Sequence, residues 1–339
     1  MCYVPLGLFL LLASAESFWV QPAKSQSIIN GPVSPLDQTS FWKRTSPSID
    51  PTKLPLGDRK FSDSPKIGQI YTCDPTHYFS LPLGSHVRGP WIHGETWDIT
   101  QKPSVRGEVA WPEAYFSISI DGEKRLLVGN GLPVGNPSGL FPTQPDDPAF
   151  RFDGNPDPLK PYNVNVAIPV SPLIAAKPFC MRPLIGYALD GVVFQFALSS
   201  MMGHDEIAYE MQDACGGMPE TSGIYHRHAG SPCIPHINET NALIGYALDG
   251  FGIFSPFDSD GKELTTNDLD ECHGLTSPIM WDGKLIQMYH YVVTRDYPYT
   301  IGCFRGTPSY VALPPPPLTA IIMSFFVIAW QKVSSGFGR

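Results

Sequence analysis

The chain has 339 residues, a formal net charge of −9 and no basic run, which excludes an electrostatic grip on nucleic acid. Its 31 glycines and 36 prolines make up about a fifth of the sequence, against roughly 12% in ordinary usage. That excess favours turns and short strands over long helices, while 42% hydrophobic residues supply enough apolar surface to exclude wholesale disorder.

In chain order, residues 1–15 read as an export signal. Val4 to Leu12 is an apolar run too short to span a bilayer, which takes roughly 20 residues. Ala13-Ser14-Ala15 then offers a small-x-small cleavage pattern. Residues 16–68 are rich in Ser, Pro, Thr and Asp and are expected to form a mobile leader outside the core. From 69 to 312 short apolar runs alternate with turn signals, as at Ala114 to Ile120 before Asp121-Gly122. The expected fold is mostly β, with sandwich-like antiparallel sheets. The Gly-rich stretch Gly129 to Gly139 lacks the Lys-Ser/Thr ending of a phosphate loop and reads as a turn-rich connection.

Removing the signal removes Cys2 and leaves Cys73, Cys180, Cys215, Cys233, Cys272 and Cys303. An even set of six suits disulfides in an oxidising compartment, so the protein is expected to be secreted or extracellular. Asn238-Glu239-Thr240 is a usable glycosylation sequon, whereas Pro137 blocks the one at Asn136. Residues 313–339 are a Pro-rich and short apolar tail. Its Leu318 to Trp330 segment is either a short membrane anchor or an exposed sticky extension.

The heptapeptide Ile185-Gly-Tyr-Ala-Leu-Asp-Gly191 returns unchanged as Ile244 to Gly250. Each copy is followed by Asp-x-Cys-x-Gly (Asp213 to Gly217, Asp270 to Gly274), a Tyr-His pair (Tyr225-His226, Tyr289-His290) and a further cysteine. Four ordered landmarks in two windows, near 183–233 and 242–303, indicate an internal hairpin duplication. Within each heptapeptide bulky residues alternate with Gly and Ala, and Asp-Gly predicts a two-residue hairpin turn at Asp190 and again at Asp249. Those aspartates are read as turn residues, or as the lining of a shared cleft. If both units fold alike, Cys215 pairs with Cys233 and Cys272 with Cys303, leaving Cys73 for Cys180; other pairings of six cysteines stay open.

At these residues the chain resembles the YHYH-domain proteins, an exported family named for a Tyr-His-Tyr-His motif. The resemblance rests on Ile244 to Phe254, Asp268 to Gly274, Met288 to Val292 and Pro298 to Gly306. It implies relatives and a compartment but no particular reaction. The first motif stands here as Tyr225-His226-Arg227-His228, and the second as Tyr289-His290-Tyr291-Val292, with its last histidine lost. Met218 and Leu275 stand where relatives often carry histidine.

His226 and His228 sit two apart, so in a strand they project from one face, about 6.5–7 Å apart along the chain. That spacing suits two imidazoles on one metal ion, with Asp213, Asp270, His273 and His290 as the candidates to complete the site. Zn or Cu fits such donors, and Met218 would add a soft ligand for Cu(I). The competing readings are a structural His/Tyr network and a non-catalytic module that binds an extracellular glycan or protein.

Overall fold

The structure, a computed structural model, describes residues 40–75, 88–198 and 203–311. The expected signal, residues 16–39 of the leader and the tail from 312 onward lie outside the described residues.

Among the described residues, short, turn-bounded apolar runs give sixteen strands and only short helical turns, the first of them α1 (Ser40–Lys43). The first strands are β1 (Leu54–Pro55), β2 (Phe61–Ser62), β3 (Ile70–Tyr71), β4 (Ile92–His93) and β5 (Thr96–Trp97). A three-stranded antiparallel sheet follows in the order β6 (Phe116–Asp121), β7 (Lys124–Gly129), β8 (Val164–Pro169). The remaining strands form one eight-stranded sheet. They are β9 (Leu184–Ala188), β10 (Val193–Gln195), β11 (Gly217–Pro219), β12 (Tyr225–Arg227), β13 (Leu243–Ala247), β14 (Gly252–Phe254), β15 (Gly274–Trp281) and β16 (Lys284–Val292).

The order of that sheet, β11-β12-β10-β9-β13-β14-β16-β15, places corresponding elements at equal distances from its centre. The two heptapeptide strands β9 and β13 pair antiparallel in the middle, with Tyr187 opposite Tyr246. Both are buried on both faces, so the alternation read from the sequence separates bulky from flat faces, not core from solvent. Most pairings are antiparallel, as expected, but β10–β12 and β14–β16 are parallel. Parallel neighbours need a long crossover, and here each crossover carries one cysteine loop.

The predicted two-residue turn is corrected. Ala188 N–H donates to Val192 O at 2.9 Å and Gly191 N–H to Ala188 O at 3.0 Å, closing a three-residue loop over Leu189, Asp190 and Gly191. The positive φ falls on Gly191 alone, which is the requirement of a three-residue loop with a glycine bulge and not of a primed two-residue turn. The second copy repeats this with Ala247, Gly250 and Phe251.

Residues 40–68 are also corrected: they belong to the core. Phe41 is fully buried, and Ile49, Leu54 and Leu56 are buried with it. β1 pairs with β5, and Arg295 donates to Trp42 O at 3.1 Å and to Arg44 O. A polar average hides such a segment because a few large apolar side chains, spaced by turns, are enough to anchor it.

Three disulfides join Cys73 to Cys180, Cys215 to Cys233 and Cys272 to Cys303. Closing loops of 18 and 31 residues is worth roughly 3 kcal/mol each in the chain-entropy account. Among the described residues no helix is long and apolar enough to cross a membrane.

Candidate metal centre

β12 is fixed on both sides, antiparallel to β11 and parallel to β10, so the side chains of Tyr225-His226-Arg227-His228 have little freedom. Alternation sends Tyr225 and Arg227 to one face and His226 and His228 to the other. Tyr225 Oη donates to Asp213 Oδ2 at 2.7 Å, and Arg227 Nη1 forks onto Asp190 at 3.0 and 2.8 Å.

On the opposite face His226 Nδ1 lies 3.2 Å from Ile224 O, and His228 Nδ1 lies 2.9 Å from Phe196 O. Carbonyl oxygens only accept, so these contacts assign the ring proton to Nδ1 in both imidazoles. The two Nε2 atoms then turn bare lone pairs toward each other at 3.1 Å. Such a pair repels unless a cation lies between or beside the two nitrogens. Burial opposes a proton there, pushing the His228 imidazole down to about 3, with His226 adding to the shift.

The counter-charge comes from a short capped turn, α2 (Glu206–Tyr209). Its cap Asp205 accepts from Ile207 N and Ala208 N, which aims the turn across the histidines. Ligand atoms of Glu206, Glu210 and His228 all lie within 4.8 Å of one another, with His228 Nε2 3.9 Å from Glu210 Oε2. Glu206 Oε2 is buried with no hydrogen-bond donor. Its carboxyl is held well above the usual range, by burial first and by the Glu210 charge next. His228 and the two carboxylates, with His226 Nε2 beside His228 Nε2, are a hard-to-borderline donor set, suited to Zn²⁺ and unsuited to Cu(I).

The other predicted ligands do not join this cluster. Asp213 accepts four hydrogen bonds, from Cys215 N, Gly217 N, Gly139 N and Tyr225 Oη, so it shapes the cysteine loop. Asp270 repeats the role with Cys272 N, Gly274 N and Tyr289 Oη. His273 Nε2 meets Thr294 Oγ1 at 3.0 Å, and burial lowers its imidazole to about 3. His290, lowered to about 4 by burial, keeps the carbonyl contact of its counterpart His226, here to Met288 O at 3.2 Å. Met218 stands opposite His226 across β11–β12 as a core side chain.

The aspartates Asp190 and Asp249 are buried turn residues: Asp190 holds Arg227, and Asp249 accepts from Tyr291 Oη at 2.6 Å and Gly306 N at 2.9 Å.

The second half shows what replaces the cluster. Registers of β14 and β16 place Val292 where the first half has His228. Val292 packs with Leu264 and Leu269 in a small apolar cluster against Leu275. Among the described residues the cluster of ion-compatible side chains is therefore built once. Sequence reasoning missed Glu206 and Glu210 because it searched for landmarks present twice. The available signal was Asp205-Glu206, a cap followed by an acidic residue, with a second acid four positions on.

Asn238 and Thr240 of the sequon are exposed. Exposed aromatic side chains among the described residues are few (Tyr115, Phe150, Tyr310), while Trp91, Trp97 and Trp281 are buried.

A family model described as YHYH protein matches residues 165–267. The matched span contains Glu206, Glu210, His226 and His228 and ends before the second Tyr-His motif. No curated protein and no solved structure matches the chain.

Proposed function

We propose that this chain, which carries a YHYH domain over residues 165–267, is an exported protein that binds one divalent metal ion, zinc by preference, at Glu206, Glu210, His226 and His228. The observation that carries the reading is the pair of facing Nε2 lone pairs at 3.1 Å beside a buried, donorless carboxylate oxygen. Glu206, Glu210 and His228 converge, and His226 adjoins His228 as the fourth N or O donor that a structural zinc site takes, so the ion would tie α2 to β12 and need not activate water. Export is supported by the three disulfides and by the apolar N-terminal run; the exposed Asn238 would then be open to glycosylation.

Elemental analysis by plasma mass spectrometry tests this on protein exported from cells and purified without a His tag. About one zinc per chain is expected. Glu210→Gln should weaken zinc by at least the roughly 10–100-fold known for loss of an outer partner, and His226→Ala/His228→Ala should abolish it. Folded, metal-free protein that takes up neither zinc nor copper on titration would leave Glu206 and Glu210 as a proton-sharing acid pair and end the proposal.

A further inference from the structure

Lys102 lies outside every family motif and is not one of the proposed metal ligands. Its side chain lines a cavity of about 110 Å³ whose other walls include Trp42, Ile99, Pro103, Ile207 and Ala229. Its Nζ donates to Ile207 O at 2.6 Å and to Gln212 Oε1. Gln212 is itself held by a bond from its Nε2 to Glu206 O at 3.0 Å, so the amine meets a fixed pair of acceptors.

A neutral amine has two N–H groups and one lone pair; an ammonium has three N–H groups and none. Two protein acceptors anchor the nitrogen beside a cavity whose walls are mostly apolar. Desolvation favours the neutral form, bringing Lys102 down to about 7 against the opposing fields of Asp205, Glu210 and Asp153. Lysines in such surroundings act as nucleophiles toward carbonyl groups.

We infer that Lys102 is a reactive amine that captures a small apolar aldehyde in this cavity as a reversible imine. In the step, the Nζ lone pair adds to the carbonyl carbon and the C=O π electrons move to oxygen. The carbinolamine then loses that oxygen as water, taking both amine hydrogens, and C=N forms. No oxidant or reductant is consumed. A proton returning to the imine nitrogen restores one N–H for Ile207 O or Gln212 Oε1. No ligand of the metal cluster takes part in the bond, although the Glu210 charge acts on the amine.

The experiment incubates the exported protein with benzaldehyde and sodium cyanoborohydride at pH 7 and maps the trapped N-benzyl lysines by peptide mass spectrometry. Lys43 is exposed and lines the same cavity, so it serves as the internal reference. An ordinary lysine is well under about 0.1% neutral at this pH, and Lys102 is expected to react at least about ten-fold faster than Lys43. Lys102→Arg should lose that fast adduct while the other lysines label as before. Should that variant fail to fold, the Lys102 to Lys43 ratio in the unaltered protein still decides. Formaldehyde, small enough to enter any cavity, repeats the test. Labelling of Lys102 no faster than Lys43 with both probes would overturn the inference.

Discussion

Asp190→Ala is expected to lower the unfolding free energy by about 3–5 kcal/mol, read from the midpoint of urea denaturation with an unchanged slope. The Asp190 and Arg227 side chains are both fully shielded from water, joined at 2.8 Å, and Arg227 Nε is spent on Cys215 O. Removing the carboxylate leaves a guanidinium in the sheet without its paired counter-charge, although the Asp213 charge still acts on it, and Arg227 Nη2 already has no partner. The corresponding change in the second half, Asp249→Ala, is expected to cost only about 1–3 kcal/mol. There the partner is the neutral hydroxyl of Tyr291, whose exposure to an apolar surround costs less than that of a cation. The ordering matters more than either value: Asp249→Ala matching or exceeding Asp190→Ala would show that the charge pair is not what holds β12 to the heptapeptide loop.

Gly186→Ala and Gly245→Ala are each expected to cost about 3 kcal/mol or more, measured the same way. A Cβ at Gly186 would stand 2.4 Å from Tyr246 O, and one at Gly245 would stand 2.6 Å from Tyr187 O. Both obstacles are backbone atoms of the two central strands, so relief requires β9 and β13 to move apart along their whole pairing. This is the physical reason the heptapeptide keeps glycine at its second position in both copies. A control is Gly122→Ala in the β6–β7 turn, where a Cβ would meet nothing within 4 Å. Only its positive φ is penalised, at about 1–2 kcal/mol. Equal losses at Gly186 and Gly122 would remove the close-approach argument.

Several features were legible without tertiary contacts because they depend on local rules. Glycine and proline content announced short strands, and the Asp-Gly steps announced the two hairpins. The matched cysteine windows announced two pairs, each closing within its own window, and left Cys73 for Cys180. His226 and His228 were legible as a pair because alternation along one strand puts them on one face. These are properties of covalent neighbours, and the chain alone determines them.

Other features were decided only when distant segments met. Residues 40–68 joined the core through a few anchors, Phe41 and Leu54 among them, that a compositional average dilutes. Asp213 and Asp270 resembled ligands in the sequence, yet each spends Oδ1 on backbone N–H groups of the cysteine loop it opens. Whether a carboxylate's lone pairs face a cation or an N–H is a matter of where the loop folds back. Glu206 and Glu210 lie between repeated landmarks and come beside His228 only because Asp205 caps α2 and its crossover returns along β12. Sequence spacing specifies which side chains can share a face of one element. Which faces converge is set by the path of the crossovers and by burial, and those selected this site in the first half while filling the second with Val292, Leu264 and Leu269.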